Sequence, residues 1–173
     1  MGNAASGKTT FARRLSGALG VPHVELDSLF WRANWEMAPA DEFLADVESR
    51  LTARGWVVDG NYHSRLGTSV LERADVVVWL DPPFRTILSR LLRRTVRRIR
   101  THELLWGVNR ETWSAFLARD SLLVWAMRAH LRRAATAEWL APFDVVRFRS
   151  ARDADAWLQD RERGGDARAR SRR

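Results

Sequence analysis

The sequence predicts an α/β fold in which helices cover both faces of a parallel sheet. Short apolar segments at wide spacing alternate with longer amphipathic segments, which is typical of parallel strands joined by helices. The first of these helices directly follows a glycine-bearing turn at the amino end. With 173 residues, 46% of them hydrophobic, the chain suits one domain with an ordinary core.

The glycine-bearing turn has the pattern GxxxxGK[ST]. Glycines allow a backbone to close around an anion, and the next helix presents its first N–H groups to it. Lys8, the only lysine beside 28 arginines, supplies a compact positive charge, and the Thr9 hydroxyl is suited to Mg²⁺. A flexible amino terminus is the alternative. We predict that the following residues bind ATP with Mg²⁺: Gly2, Asn3, Ala4, Ala5, Ser6, Gly7, Lys8, Thr9 and Thr10.

The remaining elements follow from periodicity and from turn residues. The first helix has an apolar stripe that includes Phe11 and Leu15, and it ends before Gly20. We predict strands at residues 23–27, 56–59, 75–81 and 144–148, and helices at 40–54, 64–73, 84–137 (broken near Gly107) and 151–161. Residues 1–163 form the predicted domain, with a helical lid at about 90–137. Residues 164–173 form a basic tail, which we expect to be disordered.

The strand that should precede a phosphate-binding loop is missing, because only Met1 stands before Gly2. We expect this strand to lie between the strands at 56–59 and 75–81, where its absence leaves two edges unpaired. The sequence therefore favours a native chain that begins upstream, with a short strand rich in Val, Ile or Leu.

Three predicted strands end in an aspartate: Asp27, Asp59 and Asp81. Ligands of open α/β sheets bind outside the carboxyl ends of the strands, so these carboxylates are expected near the loop. The alternative is that each is a helix cap or a turn residue. Asp59 is the candidate Mg²⁺ carboxylate, together with Thr9, and Asp27 is better placed to face a phosphate acceptor.

A concentrated basic face is predicted on the helix that follows Asp81. Seven arginines and no acid lie between residues 85 and 100, and five of them share one helical face: Arg90, Arg93, Arg94, Arg97 and Arg98. Like charges repel unless solvent screens them or an anion neutralises them. A nucleoside triphosphate is the first candidate anion, and nucleic acid is the second. For Arg93 and Arg97 a solvated surface is the favoured interpretation.

These segments together resemble the nucleoside monophosphate kinases, and more closely a bacterial branch described as adenylate kinase-like or DNA topology modulation proteins. The resemblance covers nearly the whole chain. It rests on Leu26-Asp27 followed by Trp31 and Trp35, on Asp59-Gly60-Asn61-Tyr62, and on Asp81-Pro82-Pro83 with Arg90 and Arg94 nine and thirteen positions later. It differs at His63, which stands at the offset where adenylate kinases carry an arginine, and Arg65 lies two residues beyond.

The resemblance implies a three-layer P-loop NTPase fold and Mg-ATP-dependent transfer of phosphate to a small acceptor, expected to be a nucleoside or nucleotide. It implies nucleotide contacts for Arg90 and Arg94, and with the residue patterns it gives two sets of candidates. The catalytic set is Lys8, Asp27, Arg90, Arg94 and Arg110, with Arg119 as a further lid arginine. The acceptor-binding set is Asp27, Trp31, Asp59, Asn61, Tyr62 and Arg65.

Two other classes of function stay open. One is a nucleic-acid-binding regulator in which ATP is only a switch, supported by the net charge of +8 and the basic tail. The other is an inactive ATP binder that has lost its first strand. The absence of cysteine excludes disulfides and thiolate metal sites. No apolar window is long enough to span a membrane and no signal-peptide pattern is present, so we expect a cytoplasmic protein without a membrane partner.

Overall fold

Four short strands pair in parallel, as predicted, in the computed structural model, which describes residues 1–51, 54–118 and 121–170. The strands are β1 (His23–Glu25), β2 (Val57–Asp59), β3 (Val77–Leu80) and β4 (Val145–Phe148). β1 pairs with β2, and β3 pairs with β4. The protein is thus a mixed α/β structure with two parallel strand pairs in place of the single sheet that the sequence predicts.

Ten α-helices lie in the described part of the chain. They are α1 (Lys8–Leu19), α2 (Leu26–Phe30), α3 (Ala40–Arg50), α4 (His63–Leu66), α5 (Ser69–Glu72), α6 (Phe84–Arg100), α7 (Trp113–Leu117), α8 (Leu122–Leu131), α9 (Arg133–Leu140) and α10 (Ala151–Arg170). The predicted end of α1 is confirmed: Gly20 has a φ of 67° and donates its N–H to Ser16 O, which closes the last turn.

Helices pack against both faces of the strand pairs. Val57 packs in a cluster with Phe11 of α1 and with α10, whereas its neighbour Val58 packs in a cluster with Phe30 of α2 and with Phe43 of α3. Successive side chains of a strand point to opposite faces, so these contacts lie on the two sides of β2. The alternation agrees with the predicted helical cover on both faces.

The amino-terminal turn packs against α6 and α8. Ala4 is buried in one cluster with Ile87 and Leu91 of α6 and with Ala126 of α8. This cluster brings the arginine-rich helix α6 directly beside the predicted phosphate-binding loop.

Several predicted boundaries are wrong. β1 ends at Glu25, and Leu26 and Asp27 begin α2 instead of ending the strand. Residues 64–73 form two short helices rather than one. The predicted break of the helical region 84–137 near Gly107 is confirmed, since Leu105 and Asn109 form an antiparallel bridge there. α3 ends at Arg50, before residues 52–53, which lie outside the described residues.

The carboxyl end differs from its prediction in length. α10 runs to Arg170, past the predicted end at residue 161 and into the segment predicted as a tail, and residues 171–173 lie outside the description. Among the described residues, no helix combines the length and the apolar character that a membrane span requires.

Candidate functional site

The predicted phosphate-binding loop is a tight turn that closes on itself. Ser6 donates its N–H to Asn3 O at 3.2 Å, and Gly7 and Ala5 have left-handed φ values of 100° and 57°. At Gly2 (φ 150°), a Cβ atom would lie 2.6 Å from Leu80 O and 2.7 Å from Ser6 Oγ, so no larger residue fits without displacing backbone. The first glycine of the motif is therefore required by close packing of the loop against β3.

Positive groups surround the mouth of this loop. Gly7 is the N-cap residue of α1 and no side chain caps the helix, so its first N–H groups keep their capacity to bind an anion. Lys8 Nζ lies 3.5 Å from Asn3 O, and Arg90 donates from Nη1 to Ser6 O at 3.2 Å. The helix terminus, the ammonium and the guanidinium lie at one loop, which is an arrangement that favours phosphate.

Asparagine side chains fix the backbone of the loop. Asn61 accepts the Gly2 N–H on Oδ1 at 3.2 Å and donates from Nδ2 to Gly2 O. Asn3 donates from Nδ2 to Ala126 O at 2.7 Å, and its Oδ1 accepts the N–H of Ala4 at 2.7 Å. Asn61, which the sequence places in acceptor binding, thus holds the loop through both ends of its amide.

Asp59 is the acid that fits a role beside a bound metal ion. It is buried, with 4% of its surface exposed, and its Oδ1 has no hydrogen-bond partner in the described part of the chain. His23 Nε2 lies 4.0 Å from Asp59 Oδ2. A buried carboxylate oxygen without a partner is costly unless a cation or a donor arrives, so Asp59 fits Mg²⁺ chemistry. Within the described residues no three His, Cys, Asp or Glu side chains form a metal site.

Asp27 and Tyr62 form a hydrogen-bonded pair. The Tyr62 hydroxyl donates to Asp27 Oδ1 at 2.7 Å. Burial, followed by the negative charge of Asp27, raises the pKa of Tyr62 above its usual range, so the phenol stays protonated and remains a donor. The donated hydrogen bond leaves the second oxygen of Asp27 able to accept from another donor.

Arg94 is a half-buried cation near this pair. Burial, followed by repulsion from Arg98, lowers the pKa of Arg94, while the negative charges of Glu111 and Asp27 act in the opposite direction. Its Nε is buried and has no hydrogen-bond partner in the described part of the chain. Arg98, one turn further along α6, pairs with Glu111 at 2.9 Å. Arg94 thus keeps an unsatisfied donor, as an anion receptor requires.

Aromatic side chains line one side of the Asp27 region. The ring centroids of Trp31 and Trp35 are 5.8 Å apart, and those of Trp35 and Trp106 are 6.0 Å apart. Asn109 is buried and joins the two segments that carry these rings, since its Oδ1 accepts the Trp35 N–H at 2.9 Å and its Nδ2 donates to Arg32 O at 2.8 Å. The turn after α6 is therefore docked on the loop after α2.

Other predicted residues lie apart from this group. Asp81 pairs with Arg147 and so has a structural partner at the end of β3. Arg110 has an exposed side chain, although its carbonyl accepts the Trp35 indole N–H at 3.2 Å. Arg65 is exposed and lies 5.7 Å from the Phe30 ring centre. Thr9 is half-buried, Thr10 is exposed, and Arg119 lies outside the described residues.

The sequence interpretation missed three residues that shape the site. His23 faces Asp59, Glu25 accepts the Trp106 indole N–H at 3.3 Å, and Glu111 pairs with Arg98. Glu111 follows the predicted break near Gly107, but its partner depends on how the turn folds back onto α6. No sequence signal marks His23 or Glu25.

The chain was also compared with known proteins. No protein-family model matches it, and a search of curated proteins gave no match.

Proposed function

We propose that the chain is an ATP-dependent phosphotransferase that acts on a small acceptor, with a nucleoside or nucleotide as the favoured class. The observation that carries the proposal is the convergence of an uncapped α1 terminus, Lys8 and Arg90 on one tight loop. Helix termini and cations at a glycine-containing turn bind nucleotide phosphates in P-loop NTPases. A three-layer fold of that type is part of the proposal, supported by parallel strands with helices on both faces.

Mg²⁺ would be held by Thr9 and Asp59, and it would neutralise charge on the transferred phosphoryl group. The chain itself supplies positioning and electrostatics. Lys8 and the α1 N–H groups bind the phosphate chain, and Arg90 holds the loop closed through Ser6 O. The positive charge of Lys8 is most valuable where negative charge increases during transfer.

The acceptor would lie between Asp27, Arg94 and the tryptophans. Asp27 Oδ2 accepts the proton of the attacking hydroxyl or orients it, while Tyr62 keeps the carboxylate in place. Arg94 offers its unsatisfied guanidinium to an acidic group of the acceptor or to the transferred phosphoryl group. Trp31 and Trp35 provide flat apolar surface against which a base can stack.

A transfer assay with Mg-ATP and a panel of nucleosides, nucleotides and other small hydroxyl compounds tests the proposal. With the best acceptor, Asp27→Asn should lower kcat by about 100-fold or more, since positioned bases contribute roughly that much, while ATP affinity stays unchanged. Asp46→Asn, on the exposed face of α3, is the matched control. Equal activity of both variants would rule out Asp27, and the absence of transfer to every acceptor would rule out the kinase.

A nucleic-acid-binding regulator is the second candidate, because one face of α6 is exposed and basic. Arg93, Arg97 and Arg100 surround Leu92 on this face. Nonspecific binding through these residues and the tail would be independent of sequence and would fall steeply with salt. Sequence-specific DNA binding that is lost on deletion of residues 164–173, with no phosphate transfer in the intact chain, would favour the regulator.

A further inference from the structure

A large apolar cavity separates the two strand pairs. Its volume is about 550 Å³, with residues 56–59 of the β2 edge on one side and residues 76–78 and 80 of the β3 edge on the other. Phe11, Ala12 and Leu15 of α1 line a third side. An apolar cavity of ~150 Å³ can hold one benzene molecule, so this larger space has room for several side chains. The cavity borders the candidate site, because Lys8, Asp59 and Tyr62 line it whereas Asp27 and Arg94 do not.

The backbone edges on both sides direct hydrogen-bonding groups into this space. In β2, Val57 donates its N–H at 2.9 Å to Pro22 O, on the β1 side. Successive residues of a strand point their N–H and C=O groups to opposite sides, so those of Val58 face the cavity. On β3, Val78 O and Leu80 N face the same space, where they contact the first residue of the chain.

Met1 already occupies a strand position at one end of the cavity. Its amino group donates to Val78 O at 2.5 Å, and its carbonyl accepts the Leu80 N–H at 3.0 Å. Gly2 forms a parallel bridge with Leu80, and Asn61, which follows β2, bonds Gly2 from the other side. A chain that continued backwards from Met1 would therefore run between β2 and β3, in the direction of both strands.

We propose that this cavity is the binding site of a short apolar strand joined through its carboxyl end to Met1, which pairs in parallel with both β2 and β3. Four residues of each facing edge line the cavity, and the edges span four and five positions, which sets the length of the strand. The lining is largely Val, Leu, Phe and Trp, so the side chains that fit it are aliphatic.

The charge of the Met1 amino group favours a segment that is joined to Met1 over a separate peptide. Burial lowers the pKa of the Met1 amino group to about 6, with a smaller opposing effect of Asp59 and a further lowering by Lys8. An ammonium is thus poorly accommodated where it lies. An amide N–H at the same place would still donate to Val78 O and would carry no charge. A segment joined to Met1 makes that replacement, whereas a separate peptide does not. This inference does not depend on the proposed enzymatic activity.

Three chains test the proposal: the chain that begins at Met1, the same chain with five alternating Val and Ile residues joined to Met1, and one with five Gly and Ser residues. The apolar extension should raise the melting temperature by about 5 °C or more, since ~1 kcal/mol shifts a domain of this size by roughly 2–4 °C. Measured at about pH 9, where the Met1 amino group is neutral in both states, the polar extension should change the melting temperature by less than about 2 °C. Equal effects of the two extensions would overturn the proposal.

Ala12→Phe locates the strand, because Ala12 lines the cavity from α1. The larger side chain should maintain or raise the melting temperature of the chain that begins at Met1, and lower that of the apolar extended chain, where it competes for space. The same sign in both chains would mean that the extension binds elsewhere, which contradicts the proposal.

Hydrogen exchange provides a readout that needs no variant of the cavity. The Val58 amide should exchange at least about tenfold more slowly in the apolar extended chain than in the other two, because it gains a strand partner. The same Val and Ile peptide, added free at equimolar concentration, should protect Val58 much less, since attachment supplies a high effective concentration. Equal protection by the free peptide, or none in the extended chain, would overturn the attachment to Met1.

Discussion

Asn61 and Gly2 are joined by two hydrogen bonds, although 59 positions separate them in the sequence. The Asn61 amide accepts the Gly2 N–H at 3.2 Å and donates to the Gly2 carbonyl. The Asn61 side chain thereby supplies, on the β2 side of Gly2, the two backbone hydrogen bonds that a neighbouring strand would supply. The loop is thus fixed between β3 on one side and an asparagine side chain on the other.

Replacing Asn61 should loosen the loop more than it disturbs the acceptor. Asn61→Ala removes both bonds to Gly2, each with a net value of ~0.5–1.5 kcal/mol, so ATP affinity should fall by about 5- to 100-fold. The acceptor KM should change by less than about twofold. Nucleotide titration and initial-rate kinetics separate the two effects, with Ser64→Ala on the exposed side of α4 as the control. A rise in acceptor KM with unchanged ATP affinity would return Asn61 to acceptor binding.

Lys8→Ala should abolish ATP turnover and leave the fold intact. A hydrogen bond to a charged group contributes ~1.5–3 kcal/mol to binding, and that contact strengthens as charge moves to the leaving oxygen. Lys8→Arg should fail nearly as badly, because a planar guanidinium cannot replace a compact ammonium in this turn. We would measure ATP turnover of both variants and use circular dichroism to check that they are folded. Normal turnover in either variant would remove the phosphate loop from the proposed function.

The inner and outer arginines of α6 should differ sharply in their effect. Arg90, Arg94 and Arg98 are half-buried at a spacing of four residues, whereas Arg93 and Arg97 are exposed. Arg90→Ala and Arg94→Ala should each lower kcat by about 100-fold or more, since arginines at a transferring phosphoryl group contribute ~10³- to 10⁵-fold. Arg93→Ala and Arg97→Ala are matched controls on the same helix, expected to stay within about twofold. A uniform loss across all four variants would indicate a general electrostatic effect instead.

Local sequence signals predicted the elements whose ends are fixed by local chemistry. α1 begins after Gly7 and ends before Gly20 because both glycines take left-handed conformations that other residues resist. The signal was weaker at Leu26, because the alternation of apolar and polar residues continues from β1 into the start of α2. Strict alternation indicates a strand, so residues 23–27 fit one strand by pattern alone. The error moved Asp27 from the end of a strand to the first turn of a helix.

The sequence could predict those parts of the candidate site that belong to local sequence motifs. The loop residues and the half-buried arginines of α6 follow from spacing, because a phosphate loop and a helical face are local patterns. The partners of Asn61, Asp81 and Glu111 could not be predicted in this way. Asn61 bonds Gly2, Asp81 pairs with Arg147, and Glu111 pairs with Arg98. Tertiary packing brings the two members of each pair together.

The buried amino group of Met1 gives the chain a specific dependence on pH. Its folded-state pKa of about 6 lies below the ordinary value of 8.0. Between these values the unfolded chain binds more protons than the folded chain, so the free energy of unfolding should rise as pH increases from 6 to 8. Two pKa units correspond to roughly 2–3 kcal/mol. Below pH 6 the full penalty applies, and above pH 8 it is absent because the group is neutral in both states.

Acetylation of the Met1 amino group isolates this effect, since it removes the charge and retains an N–H that can donate to Val78 O. Denaturant unfolding at several pH values from 5 to 9 should give a steeper rise for the free chain than for the acetylated one. The difference between them should be largest below pH 6 and should vanish above pH 8. Parallel curves for the two forms would show that the amino group is as well solvated in the folded chain as in the unfolded one.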